Sequence, residues 1–477
     1  MASSHVDVLI VGAGISGIDA AYHLQTSCPN KSYAVFEARD TLGGTWDLFR
    51  YPGIRSDSDM YTLGFPFRPW RSGKAIADGD SILAYIRETA EIYGIDRHIR
   101  YRHRVVSASW ANGQWNVHAL ADGQPISLSC NFLFLCSGYY DYDQGYTPEL
   151  AGRDKFRGQI IHPQHWPEDL DYTGKRIVVI GSGATAVTLV PELAKRAAHV
   201  TMLQRSPTYI MSRPARDPIA DWLRQRLSPQ RAYSLTRWKN VLLGAAFYQY
   251  SRRFPEHAKK LLIGGVKRMV PDVDVEKHFT PRYNPWDQRL CLVPDADLFT
   301  ALRKGTVSVV TDEIATFTER GIALKSGDTL EADIIVTATG LKLKSFGGLA
   351  LTVDGKPVVV PKAMVYKGMM LSDVPNLAFS VGYTNASWTL KCDLTSRYVC
   401  RLINHLDKHG YTECRPRRDP RVSEVPLLDF SSGYVQRSIN EFPRQGSKVP
   451  WKLYQNYPLD LFLLERSRLS DGVMQFR

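Results

Sequence analysis

The sequence predicts an α/β protein with two Rossmann-like dinucleotide-binding domains and a small helical insertion. Three observations predict it. Two glycine-rich turns, GAGISG at Gly12 to Gly17 and GSGATA at Gly181 to Ala186, each follow a short apolar run and open a helix-like stretch. Each reads as the strand, tight turn and helix of a dinucleotide site. Between Met211 and Arg282 the apolar period becomes helical, with Trp238, Val241, Leu242 and Ala245 at i, i+3, i+4 and i+7.

Composition supports that architecture and removes alternatives. A chain of 477 residues exceeds one simple core, so two or three domains are expected. With 44% hydrophobic and 23% charged residues it is globular, neither disordered nor fibrous. The seven cysteines (Cys28, Cys130, Cys136, Cys291, Cys392, Cys400, Cys414) form no C-x-x-C and no metal-ligand pairing with histidine. They read as reduced thiols, which argues against a disulfide reductase, a metal site and an oxidising compartment. The N-terminal apolar run contains Asp7 and no basic leader, and no apolar run reaches membrane-spanning length. A soluble cytoplasmic protein is expected. The net charge of +12 is concentrated between Met211 and Arg282, with 15 Lys and Arg against 6 Asp and Glu. No aromatic-basic interleaving accompanies it, so it reads as a solvated helical face and not a nucleic-acid site. Attraction for a polyanionic cofactor, or weak peripheral contact with a membrane, is a minor addition.

Taken in order, Val6 to Val11 is the first strand. Gly12 permits the turn, Gly14 lets the backbone approach a pyrophosphate, and Gly17 allows close helix packing, with Ser16 inside the motif. The phosphates would sit on the helix N-terminus. A second β-like run, Ser32 to Phe36, ends in Glu37, 25 residues after Gly12. A carboxylate there suits a free ribose hydroxyl pair and repels a 2′-phosphate, so the first site fits FAD or NAD. The loop Leu42 to Leu63 is rich in Gly, Pro, aromatics and charge; taken alone, its Arg55, Asp57 and Asp59 read as a surface ion-pair cluster. A helix near Ile82 to Tyr93, a strand His103 to Trp110 and a buried parallel strand Phe132 to Ser137 follow. Ile177 to Ile180 then leads into Gly181, Ser182, Gly183, Ala184, Thr185 and Ala186. The next strand, His199 to Leu203, is followed by Arg205 and Ser206, with Arg205 24 residues after Gly181. An Arg fork matches a phosphate bidentately, so the second site should prefer NADPH; taken singly, Arg205 reads as a solvated strand end. The insertion's apolar face reads as core packing more than as a substrate wall. A β-like run, Ala332 to Ala338, closes the second domain, and CRPRRDPR at Cys414 to Arg421 reads as a solvated loop.

Between the two turns lies FRGQIIHPQHWP, Phe156 to Pro167, with the pattern F-x-G-x-x-x-H-x-x-x-W-P. Alone, it could be an interdomain linker with one buried histidine. It resembles the signature of the Baeyer-Villiger monooxygenases, class B flavoenzymes that use NADPH and oxygen to turn ketones into esters or lactones. The loops RYPGIRSDSDMYTLGF and YNPWDQRLCLVP are similar to that family too. The resemblance implies a split FAD domain over residues 1–145 and 341–477, an NADPH domain over 153–210 and 283–340, and the insertion over 211–282. It places Thr45, Trp46, Asp47, Leu48, Arg55, Ser56 and Asp57 along the flavin and Val105 near the adenine. Val187 continues the second cofactor turn. Phe156, Gly158, His162, Trp166 and Pro167 form the domain bridge. Arg289 matches the family's catalytic arginine, with Asp57 orienting it, whereas Gln288 stands where many relatives carry Lys. Pro375 to Val381 and the following GYTNASW resemble the family's second flavin-side strand and loop.

The implied reaction is reduction of FAD by NADPH, addition of oxygen to the flavin as a peroxide, and attack on a carbonyl carbon. Sulfur oxidation of thioethers or thioamides would be secondary. An S- or N-oxygenating flavin monooxygenase, a flavin NADPH oxidase or reductase, and a non-enzymatic nucleotide sensor are the other readings.

Overall fold

The computed structural model describes residues 4–428 and 431–477. Its first layer is a nine-stranded sheet built on β1 (Ser4–Val11), which pairs in parallel with β2 (Tyr33–Phe36) and with β3 (Gln124–Leu135). Alternate residues of β1 serve two cores, as expected of a parallel strand covered on both faces. Val8 and Ile10 pack with Ile18 and Ala21 of α1 (Ile15–Ser27). Leu9, with Val11 partly buried beside it, faces Trp115 and Leu377 on the other side. Each such fully buried aliphatic side chain contributes about 1.5–3 kcal/mol. The expected strand at Phe132 is the end of the longer β3, whose side opposite β1 forms an antiparallel hairpin with Gln114–Ala121. Ala350–Val353 and Leu377–Phe379 add to the same sheet in parallel, so the chain returns to its first layer after residue 340.

The second layer is a five-stranded parallel sheet on β4 (Arg176–Ile180) and β5 (His199–Gln204). Ile334–Thr337 lies beside β4, and Gln159–Ile161 forms the edge. The stretch around His162 is thus partly a strand of this sheet. Phe156 packs on one face of the sheet and Trp166 on the other, against α2 (Ala184–Leu193).

The insertion contains α3 (Pro218–Arg224), α4 (Pro229–Arg253) and α5 (Pro255–Met269). The expected apolar inner face of α4 is observed only in part, at Val241 and Ala245, which line a cavity. Val241 is buried, but Trp238 and Leu242 are 40% and 55% exposed. The inner face instead carries Tyr233, Thr236 and Arg237. The reason is local: the short helix Met60–Leu63 and the turn after it present carbonyls that need donors. Arg237 Nη1 reaches Tyr61 O and Gly64 O at 2.8 Å each, and Tyr233 Oη donates to Phe65 O at 3.0 Å. All seven cysteines are free and buried. The basic stretch at Cys414 is also not simply a solvated loop, because Cys414–Pro416 pairs with Met474–Phe476 and Arg415 is held by Glu413 at 2.8 Å. Among the described residues no helix is long and apolar enough to cross a membrane.

Candidate active site

Both glycine turns open toward one cavity of about 260 Å³. At the first, β1 ends and Gly12 takes φ +106°, where an added Cβ would lie 2.6 Å from Cys136 O. A Cβ at Gly17 would lie 1.9 Å from Gly12 O, so α1 rests directly on the turn. Gly14 is the N-cap of α1 and offers no side-chain cap. A bare helix N-terminus at the end of a parallel strand suits a pyrophosphate. Glu37, at the end of β2, is fixed beside this turn: Oε2 accepts from Ala13 N at 2.8 Å and Oε1 from Arg39 N at 3.0 Å. Burial pushes its carboxyl up from the usual range. The His103 N–H bonds Glu37 O, which brings Val105 close to the same corner, although Val105 does not line the main cavity.

The loop after β2 divides its residues. Thr45, Trp46, Arg55, Ser56 and Asp57 line the cavity together with Gly14, Ser16, Gly43 and Gly44. Asp47 and Leu48 do not. Asp47 is 1% exposed and clamped by Arg39 and Arg50 at 2.7 Å and Arg87 at 3.1 Å. A buried carboxylate needs such partners, and three guanidiniums draw it away from the cavity. Leu48 packs on the second layer's core. Arg55 Nη1 reaches Asp297 Oδ2 at 2.5 Å, while its Nη2 is buried with no acceptor among the described residues. A spare buried donor in a cavity wall fits an anionic or carbonyl-bearing ligand group. Together, the glycine cradle, Glu37 and this donor fit a flavin dinucleotide.

At the second turn, Gly181 takes φ +134° and a Cβ there would lie 2.3 Å from Ala338 O. Gly183, the N-cap of α2, is open, with nothing within 4 Å of an added Cβ. Ser182 Oγ donates to Ser206 O at 3.1 Å and shares a hydrogen bond with Thr208. Ala184 and Thr185 line the cavity, whereas Ala186 and Val187 turn into the core beneath α2. Ala184, Thr185 and Thr188 share one side of α2 and face the cavity, so Ala186 and Val187 on the other side turn inward. Arg205 is exposed just past β5, where its charge is felt by Glu313.

Arg289 and Asp57 meet although they are far apart in the chain. Arg289 Nε lies 3.3 Å from Asp57 Oδ2, each side chain 33% exposed. The Arg289 loop runs into Cys291–Pro294, which pairs in parallel with Ile210–Arg213, and Asp287 ties it to Arg252 of α4 at 2.8 Å. Asp57 is the largest cause holding Arg289 well above the ordinary guanidinium range, so the cation is permanent. Around it stands an aromatic wall: Trp388, from the loop expected on the flavin side, and Tyr139, Tyr140 and Tyr142, which sequence reasoning missed. Trp388 stacks on Tyr139 with centroids 5.0 Å apart and donates from Nε1 to Ser16 Oγ at 2.8 Å. Burial pushes Tyr140 and Tyr142 up to about 12, so both phenols stay neutral. The paired Tyr139-Tyr140 dipeptide beside Gly138 was the one signal that could have found them.

A second cavity of about 140 Å³ adjoins the first and shares Asp57, Ser58 and Leu292 with it. Met211, Val241, Phe247, Trp286 and Leu390 give it an apolar wall. The bridge segment is anchored on the second layer and on the two strands, Tyr140–Gly145 and Leu341–Leu343, that cross between the layers. His162 Nε2 contacts Gly340 O at 3.3 Å, and its ring fills the space beside Gly145. Gln164 Nε2 donates to Asp141 O at 2.9 Å. Burial lowers the His162 pKa, favouring the neutral ring. Gly158 abuts Asp333 O and Phe156, and Pro167 O caps the turn at Leu170.

Comparison with known proteins agrees with this geometry. The Flavin-binding monooxygenase-like family model matches residues 65–233, and an NAD(P)-binding Rossmann-like model matches residues 10–72. The chain is 58% identical to the FAD-containing monooxygenase EthA of Mycobacterium tuberculosis, over 99% of this chain and 98% of that protein. It is 49% identical to the probable FAD-binding monooxygenase AlmA of Acinetobacter baylyi, over 99% and 96%. In fold it matches an oxidized steroid monooxygenase bound to NADP, with TM-score 0.77, 23% identity and 99% of both chains covered.

Proposed function

Because the chain belongs to the FAD-containing monooxygenases, we propose that it is of the Baeyer-Villiger type and inserts one oxygen atom of O2 into ketones, giving esters or lactones. FAD and NADPH are its cofactors. The observation that carries the reading is the Arg289–Asp57 pair, which lines the large cavity and whose Asp57 also borders the smaller one. We assign FAD to the domain of residues 1–145 and 341–477, NADPH to that of 153–210 and 283–340, and the roof to 211–282. Gly12, Gly14, Gly17 and Glu37 would hold the FAD pyrophosphate and ribose, and Arg205 with the Gly181 turn the NADPH phosphates. When bound, these two groups supply the electrons and the activated oxygen.

The residues of this chain do the rest. The apolar wall of Met211, Phe247 and Leu390 removes a ketone from water and admits an uncharged substrate. Arg289 lines the large cavity beside Asp57, which borders both cavities, so a carbonyl oxygen that gains negative charge there meets a fixed cation. Asp57 holds that cation in place. Neutral Tyr139 and Tyr140 cannot accept the charge or act as bases near neutral pH. Sulfur oxidation of thioethers or thioamides is a secondary activity, because sulfur carries no oxygen for Arg289 to stabilise.

The test is product analysis after FAD-loaded protein meets NADPH, oxygen and a mixture of ketones and thioethers. Esters should predominate. Sulfoxides with no ester from any linear, cyclic or aryl ketone would transfer the chain to the S-oxygenating class, and NADPH consumption with neither product would make it an oxidase.

A further inference from the structure

We propose that the outer face of the helical insertion is a docking surface for the anionic interface of a lipid bilayer. The helix α4 wears its apolar side outward. Leu235, Trp238, Leu242 and Leu243 are 53%, 40%, 55% and 61% exposed. At about 100° per residue these four, together with Arg231 and Arg253, fall within an arc of roughly 140°. The inner side of α4 is already committed, since Arg237 and Tyr233 satisfy carbonyls of the Met60–Leu63 turn. The helix therefore cannot rotate to hide its leucines. Trp222 of α3 and Phe254, between α4 and α5, extend the exposed apolar surface, at 53% and 47%.

Charge selects the occupant. Residues 218–269 hold eleven Lys and Arg against two acidic residues, Asp221 and Glu256. Of these cations Arg237 is buried, and Arg224, Lys239 and Arg252 are paired with Asp221, Asp217 and Asp287, which leaves Arg226, Arg231, Arg253, Lys259, Lys260, Lys267 and Arg268. Arg231 and Arg253 at the two ends of the apolar stripe, and Lys260 on α5, form no ion pair among the described residues. A second copy of the chain would fit poorly, because a two-fold interface sets a patch against itself and here opposes like charge. A nucleic acid would meet the cations but leave the leucines in water. A bilayer interface supplies both partners, an anionic headgroup layer for the cations and hydrocarbon for the leucines, with tryptophan suited to the boundary. On this reading α4 lies in the plane of the membrane, along a length of about 37 Å.

Flotation of the FAD-loaded full chain with vesicles tests this. Phosphatidylcholine vesicles containing phosphatidylglycerol should carry the protein, pure phosphatidylcholine vesicles should not, and added salt should release it. The double variant Leu235→Asp, Leu242→Asp should lower vesicle binding by at least about tenfold. The pair Arg231→Glu, Arg253→Glu should abolish the preference for phosphatidylglycerol. Light scattering without lipid should give one oligomeric state for wild type and both variants. Absence of binding to mixed vesicles, or binding indifferent to both pairs, overturns the proposal. A lipid-free change of oligomeric state in the leucine variant would make the face an interface between copies, and displacement from vesicles by polyglutamate with the leucine pair indifferent would make it a site for an acidic protein.

Discussion

Replacing Asp57 by Asn and, separately, Arg289 by Ala separates holding the cation from having it. The guanidinium and carboxylate are 3.3 Å apart, which corresponds to a gross attraction of about 5 kcal/mol at an effective dielectric of about 20. Both side chains are one-third exposed, so solvent screens most of that, leaving about 1–2 kcal/mol. Asp57→Asn keeps the shape and removes the anchor, and the oxygenation rate should fall roughly 5- to 30-fold. Arg289→Ala removes a preorganised donor aimed at developing negative charge, a loss of about 2.7–4 kcal/mol, or roughly a hundred- to a thousandfold. Neither change removes a residue of either glycine cradle. Anaerobic flavin bleaching by NADPH should therefore stay within about threefold of wild type. Bleaching rate and ester formed per NADPH are to be measured on the same preparations. Normal ester yield in Arg289→Ala would refute the assignment, and so would bleaching that falls in parallel with ester, since the pair would then only shape the cofactor cavity.

Other expectations follow from named contacts. Arg205→Ala should weaken NADPH binding by about 1.5–3 kcal/mol relative to NADH, as titration with both coenzymes would reveal; an unchanged preference would free Arg205 of that role. For His162 the folded pKa lies below the unfolded one, so stability is lost as pH falls through about 6.5, where only the unfolded chain takes the proton. His162→Gln should thus lose less Tm than wild type between about pH 7 and 5.5, while releasing more hydrogen peroxide per NADPH because the chain crossings at Gly145 and Gly340 lean on this side chain. Equal acid sensitivity and equal coupling would show that His162 is a passive filler. Gly17→Ala places a methyl 1.9 Å from backbone Gly12 O, which no side-chain rotation relieves, so the purified protein should lack FAD; a variant that keeps flavin absorbance would contradict the close-packed turn.

The sequence by itself determined the local machinery. Glycine spacing after an apolar run needs only a few neighbouring residues to specify strand, turn and helix N-terminus, and both turns formed at Gly12 and Gly181. The contrast between Glu37 and Arg205 was legible for the same reason, because each sits at the end of the strand that follows its own turn. The meeting of Asp57 with Arg289 was legible only through resemblance, since no local period connects residues so far apart in the chain. Tertiary structure alone decided where ambiguous side chains point. Helical period located α4 and turned Val241 and Ala245 inward but misplaced Trp238 and Leu242, because the carbonyls of Tyr61 and Gly64 demanded Arg237 more strongly than the core demanded those two. Asp47 was expected along the flavin, and folding buries its side chain outside the cavity lining, among Arg39, Arg50 and Arg87. Tyr139, Tyr140 and Trp388 joined one wall only once the chain's return had brought the Trp388–His409 helix against α1. Periodicity is a property of neighbours along the chain, whereas a side chain's partner depends on which unsatisfied donor, charge or apolar surface folding brings opposite it.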